Sequence, residues 1–276
     1  MSTIIVLGAG MVGVSTGLAL LDHGHDVVLV DRREPGGETS FGNAGVIQAE
    51  AVEPYALPRD FRSLVQIAFR CGNDVHYHFD ALPGQAIALW QYFRASRPDR
   101  HQRASSAYAP MIRRSTADHQ PLILAAGADD LIRRDGLYQI YADARRFAKA
   151  HREADRLTSM YGVGVKAYDF DEIKKLEPAL RTQIAGALRW TDSWSCIDPG
   201  GLVTAYGHLF AARGGRIVIC DASTFRADRG GWSVSTVEGK ISAEHTYRTW
   251  ALVTRATASF RIPVSYGLQA WLPPTI

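Results

Sequence analysis

The chain has 276 residues, 46% of them hydrophobic and 21% charged, with a formal net charge of +3. That length allows one large or two modest domains around a full core, and the composition excludes a disordered chain. Arginines spread through 94–103, 113–114 and 145–146 read as solvated helix faces; no nucleic-acid surface is expected.

Thr3 to Leu7 is a short apolar run ending in glycine, the pattern of a buried parallel strand. Met11 to His23 has helical spacing, with Gly24 where a helix would stop. Val27 to Val30 is a second buried strand ending at Asp31, which completes a βαβ unit. Residues 32–50 form a polar, glycine-rich loop that is long for a structural connection. Helices are expected around 84–96, 104–126 and 143–161, and a strand over 136–141. Asp198-Pro199-Gly200 opens another helix running to Arg213, and Arg216 to Cys220 is the next strand. Trp232 to Val237 and Lys240 to Glu244 alternate around Glu238-Gly239, a hairpin signal.

Several classes fall away on the same pass. No apolar run reaches the roughly 18 residues of a spanning helix, and the N-terminus is too short and uncharged for a secretory leader. Cys71, Cys196 and Cys220 are far apart and odd in number, so reduced thiols in a cytoplasmic setting are expected. His76-Tyr77-His78 alternates without a nearby third ligand and reads as surface strand; no metal site is expected.

The chemistry lies in Gly8-Ala9-Gly10-Met11-Val12-Gly13, a GxGxxG turn between strand and helix. Gly8 permits the tight turn, Gly10 lets backbone approach a pyrophosphate, and Gly13 lets helix and sheet pack closely. The N–H groups of the first helical turn, at Met11 and Val12, favour phosphate. Asp31 ends the second strand where a carboxylate accepts from an adenosine ribose, with Arg32 beside it. Two features choose FAD: Gly17 continues the glycine series, and Gly36-Gly37-Glu38-Thr39-Ser40-Phe41-Gly42-Asn43-Ala44-Gly45 follows. Its small residues let backbone pass close to a bulky ligand, and Ser40 and Asn43 can hydrogen-bond to it. Gly8, Gly10, Met11, Val12, Gly13, Asp31, Arg32, Ser40, Asn43, Ala44 and Gly45 are therefore the cofactor-binding candidates.

On these residues the chain resembles the FAD-dependent D-amino-acid dehydrogenases, within the group containing D-amino-acid, glycine and sarcosine oxidases. The family's ETS-x-x-NAG loop stands as Glu38 to Gly45. Gly136 to Tyr141, Leu176-Glu177-Pro178-Ala179-Leu180, Asp198-Pro199 and Gly215 match later landmarks, so the likeness covers residues 1 to about 245. The resemblance implies an α/β fold in which a Rossmann-like FAD-binding domain is interleaved with an incomplete α+β substrate domain. The expected division is 1–85 and 143–225 for FAD, 86–142 and 226–246 for substrate, and an aberrant tail over 247–276. The implied reaction is oxidative deamination of a D-amino acid to a keto acid, with electrons passed to an acceptor such as a membrane quinone. The implied location is cytoplasmic, peripheral on the inner face of the membrane. No general base is obligatory, and no catalytic residue is named, because the family's substrate-holding positions fall beyond the break described next. Two alternatives stay open: an NAD(P)-dependent oxidoreductase, with Arg32 and Arg33 meeting a 2′-phosphate, and a non-catalytic nucleotide-binding module.

After Lys240 to Glu244 the family should continue into a buried strand, an ALGPWS-like turn and a KRGYH-like segment. This chain reads His245 to Val253 instead and ends at Ile276. Codons for Tyr247 onward, read one nucleotide later, permit Ile-Ala-Leu-Gly-Pro-Trp-Ser, and those for Gln269 to Pro274 permit Lys-Arg-Gly-Tyr-His. Both landmarks appear in one frame and in the right order. A frameshift close to Thr246 is therefore expected, and with it a poorly stable product that binds FAD weakly.

Overall fold

The computed structural model describes residues 2–68, 82–228, 230–237 and 239–248. The first half runs β1 (Thr3–Leu7), α1 (Met11–Asp22), β2 (Asp26–Asp31), β3 (Val46–Ile47), α2 (Phe61–Ala68), α3 (Leu82–Ala95), α4 (Pro98–Arg113) and α5 (Ser115–Ala125). Next come β4 (Ile132–Arg133), β5 (Leu137–Tyr141), α6 (Ala144–Tyr161), β6 (Val165–Tyr168), α7 (Phe170–Leu176), β7 (Gly186–Trp190) and β8 (Trp194–Cys196). The chain then forms α8 (Pro199–Ala212), β9 (Arg216–Ile219), β10 (Arg226–Asp228), β11 (Gly231–Thr236), β12 (Gly239–Ala243) and β13 (His245–Arg248). Cys71, His76-Tyr77-His78 and the tail from Thr249 onward lie outside the described residues.

These elements form two interleaved compact units. The first comprises the described parts of Met1–Val46, Ala117–Arg133 and Cys196–Thr254; the second, those of Ile47–Thr116 and Arg134–Ser195. The α/β class and the interleaving match the expectation. The units divide the chain at other points than 1–85 with 143–225 and 86–142 with 226–246. Residues 143–195 belong with β5 to β7, and β10 to β13 close the first unit's core.

The first unit is a four-stranded parallel sheet in the order β13-β1-β2-β9. β1 and β2 are buried almost throughout, as apolar parallel strands covered on both faces must be. Ile5, Leu7, Val28 and Val30 turn one way, into a cluster with Val218, Val234 and Ala243. Val234 and Ala243 come from β11 and β12 of an antiparallel meander, β10-β11-β12, which links β9 to β13. On α1, Val14 and Leu18 are fully buried, as are Tyr206 and Phe210 on α8. The two helices meet at Gly17, where a Cβ would stand 2.8 Å from the Phe210 ring. Gly17 thus serves helix packing, and a cofactor reading of its place in the glycine series is not required.

The second unit centres on the antiparallel sheet β5-β7-β6. Tyr138, Ile173, Leu180, Ile184 and Ala187 form its core. α6 starts at Asp143, whose side chain accepts from the Arg146 N–H, and stops at Gly162, which adopts left-handed φ. α7 opens with a reciprocal capping box between Asp169 and Glu172. The single helix expected over 104–126 is two helices, α4 and α5, parted at Arg114. α4 begins earlier than expected because Pro98 stands at its start, where no N–H is needed.

Candidate cofactor site

The glycine turn forms at the C-terminal end of β1. Gly8 has φ of 102°, open to glycine at no steric cost, and its N–H donates to the Val30 carbonyl at 2.8 Å. Gly10 is the N-cap of α1 and no side chain caps it. The first N–H groups of a helix have no intrahelical partner and carry the positive end of its dipole. Among the described residues a Cβ built on Gly10 would meet nothing within 4 Å, so they leave the space before this helix end open. Met11 is half-buried, Val12 is 62% exposed, and Gly13 is buried.

Asp31 ends β2 next to this turn. Its Oδ2 accepts from the Ala9 N–H at 2.7 Å, and its Oδ1 accepts from the Arg32 N–H at 2.6 Å. The carboxylate is therefore fixed against the glycine turn by backbone donors, with lone pairs remaining for hydroxyl donors. Arg32 turns its guanidinium to Glu38 in a two-pronged pair at 2.8 and 2.9 Å, and Arg33 Nε lies 3.1 Å from the same carboxylate. The hydrogen bond from Arg32 holds the Glu38 carboxyl below the ordinary carboxylate range.

The loop after β2 is tethered elsewhere too. Thr204 of α8 donates to the Pro35 carbonyl at 2.9 Å, and Gly36 sits so close to α8 that a Cβ would fall 2.3 Å from the Gly200 carbonyl oxygen. At the far end the Cys196 N–H donates to the Gly45 carbonyl at 2.6 Å, and the Gly45 N–H donates to Asn43 Oδ1 at 3.1 Å. Between these anchors Phe41, Gly42, Asn43 and Ala44 are exposed, while Ser40 is half-buried and its carbonyl accepts from the Asn43 N–H at 3.3 Å. The structure thus brings Gly8, Gly10, Met11, Val12, Gly13, Asp31 and Arg32 together, and places Ser40, Asn43, Ala44 and Gly45 on a strap fixed at both ends. Sequence reasoning missed Glu38 as the partner of both arginines, and α8 as the bed of the strap. An acidic residue six positions after Arg32 in a glycine-rich loop was the available signal.

Burial pushes the Cys196 thiol and the Tyr206 phenol up and the His119 imidazole down. Tyr206 and His119 hydrogen-bond at 3.0 Å inside the first unit, which makes this a satisfied core pair. Among the described residues no group of three or more His, Cys, Asp or Glu could hold a metal.

A parallel sheet with a glycine turn, an open helix N-terminus and an acidic strand end defines a dinucleotide-binding protein. Residues 3–257 match the FAD dependent oxidoreductase family, and the chain belongs to that family, whose cofactor is FAD. The match runs past Thr246, where the change of reading frame is expected. The chain is 26% identical over 268 residues to a D-amino-acid oxidase of Bradyrhizobium diazoefficiens, covering 96% of this chain and 62% of that protein. It is 31% identical over 179 residues to a D-amino acid dehydrogenase of Dechloromonas aromatica, covering 64% of this chain and 42% of that one. The fold is shared with glycine oxidase from Geobacillus kaustophilus, at TM-score 0.59 and 18% identity over 90% of this chain and 55% of that one. It is shared also with L-amino acid deaminase from Proteus vulgaris, at TM-score 0.63 and 17% identity over 92% and 48% of the two chains. The chain thus spans less than two thirds of the length of each of these proteins.

Proposed function

We propose that the first unit binds FAD and that the chain serves oxidative deamination of D-amino acids to keto acids, with electrons passed to an acceptor such as a quinone. The observation that carries the reading is the open space before Gly10, bounded by a carboxylate, Asp31, held to the glycine turn. The α1 N-terminus, with Gly8, Gly10, Met11, Val12 and Gly13, takes the pyrophosphate. Asp31 takes the ribose, the Arg32 N–H helps hold its carboxylate, and the strap with Ser40, Asn43, Ala44 and Gly45 lies along the flavin. Bound FAD supplies the two-electron acceptor for a hydride leaving the amino-acid Cα. We assign the cofactor to the unit built on the parallel sheet and the substrate to the unit built on β5-β7-β6. The D preference follows the D-amino-acid oxidase and D-amino acid dehydrogenase that the chain is similar to. Among the described residues no helix is long and apolar enough to cross a membrane; a quinone acceptor places the protein peripherally on the inner membrane face.

The test is anaerobic titration of the FAD-reconstituted chain with D-alanine and L-alanine, following loss of flavin absorbance. Slow bleaching, by the D isomer alone, is the expected result, because the family's substrate-holding positions fall beyond the expected break. Bound FAD that no amino acid bleaches would leave a nucleotide-binding module. NADPH binding in place of FAD would favour the nicotinamide reading; the pairing of Arg32 and Arg33 with Glu38 speaks against its 2′-phosphorylated form.

A further inference from the structure

We propose that Glu38 is the residue that sets this site against 2′-phosphorylated nucleotides, by holding Arg32 and Arg33 away from the ribose 2′ position. The inference rests on the reading that the glycine turn binds a dinucleotide, and it concerns which dinucleotide.

In dinucleotide sites that accept a 2′-phosphate, an arginine near the end of the second strand meets it. Here both positions after Asp31 are arginine, so the bare sequence leaves such a ligand open as an alternative to FAD. The geometry reverses that. Arg32 spends Nε and Nη2 on the two Glu38 oxygens, and Arg33 Nε approaches the same carboxylate. Arg33 Nη1 also reaches the Gly37 carbonyl at 3.5 Å, on the stretch leading into Glu38. With Asp31 alongside, two carboxylates meet two guanidiniums, and an incoming dianion finds no net positive charge.

Fork-to-fork pairing also fixes direction, because a planar guanidinium bound through two nitrogens cannot swing without breaking both bonds. Glu38 is half-buried whereas the arginine side chains are 69% and 65% exposed. Its position is set in turn by the Pro35-Gly36 anchor on α8. The carboxylate is thus the fixed member and the arginines the recruited ones. Glu38 is a positioning residue, acting on the nucleotide through the arginines.

The experiment is displacement of FAD from the full chain by ADP-ribose and by 2′-phospho-ADP-ribose, read as the ratio of their affinities. A general loosening of the loop lowers both and leaves the ratio unchanged. The parent chain should prefer ADP-ribose. Glu38→Gln should shift the ratio toward the 2′-phosphorylated probe by about tenfold, the scale of one charge-assisted pair gained. Glu38→Ala should repeat the shift, which keeps the question answerable if the glutamine variant does not fold. Glu38→Asp should retain the parental ratio, and adding Arg32→Ala to Glu38→Gln should cancel the gain. A ratio unmoved in both Glu38→Gln and Glu38→Ala, with both probes still bound, would overturn the proposal alone. A parent chain that binds neither FAD nor either probe would overturn the dinucleotide reading and the proposal with it.

Discussion

Gly10 and Gly45 are both glycines of the candidate site, yet the fold needs only one of them. Gly10 has φ of −77°, which any residue adopts, and its added Cβ would stand in open space. Gly45 has φ of 70°, and its added Cβ would fall 2.0 Å from the Cys196 carbonyl oxygen. Gly10→Ala should therefore leave the melting temperature unchanged while weakening FAD binding at least tenfold, because the methyl enters the space given to pyrophosphate. Gly45→Ala should destabilise the chain by about 2 kcal/mol or more, through strain and a backbone clash. Thermal melts paired with FAD titrations of both variants check this; equal melting losses would show that the open space is not there.

At the scale of elements, β13 departs from its neighbours. A parallel strand beside β1 should be apolar, but β13 reads His245-Thr246-Tyr247-Arg248 and is exposed or half-buried throughout. Among the described residues the buried Thr246 hydroxyl has no hydrogen-bond partner. Thr246→Val keeps the shape and removes the unpaired group, so it should stabilise the chain by about 1 kcal/mol, read in a denaturant titration. An unchanged or lowered midpoint would mean that the hydroxyl is satisfied in solution. The polar character of β13 coincides with the expected change of reading frame near codon 246, and rereading the gene across that codon tests it. An open shifted frame continuing through Lys-Arg-Gly-Tyr-His is the expected result, and an early stop in it would end that expectation.

Across the whole molecule, stability at acid pH depends on segments far apart in sequence. Glu53 accepts from Arg156 at 2.9 and 2.7 Å and from the Tyr161 hydroxyl at 2.7 Å, joining the loop after β3 to α6 in the second unit. The Arg156 hydrogen bonds, aided by that of Tyr161, hold the Glu53 carboxyl below its ordinary value of 4.5. The unfolded chain therefore takes up this proton first as the pH falls. The contribution is complete above pH 4.5 and is lost as the pH drops through the lower folded value. Glu53→Gln should cost about 1–2 kcal/mol at pH 7 and flatten the acid side of the stability profile. Melts between neutral pH and the acid limit decide it; a variant with the parental acid slope would place the loss elsewhere.

The βαβ unit, its glycine turn, Asp31, the α6 and α8 boundaries and the hairpin of β11 and β12 were legible in the sequence. Each is encoded locally, by apolar period, by a capping side chain or by a glycine at a required φ. The FAD family was legible for the same reason, since the motif that carries it is one continuous loop, Glu38 to Gly45. What only the tertiary structure decided is pairing at a distance. It placed β13 beside β1, gave the meander to the parallel sheet's core, seated Gly17 against Phe210, and gave Arg32 and Arg33, 2′-phosphate ligands in the alternative nicotinamide reading, to Glu38 as partners. Local pattern records which face of an element is apolar and which side chains are charged; the partner is chosen by the folded chain that brings the two together.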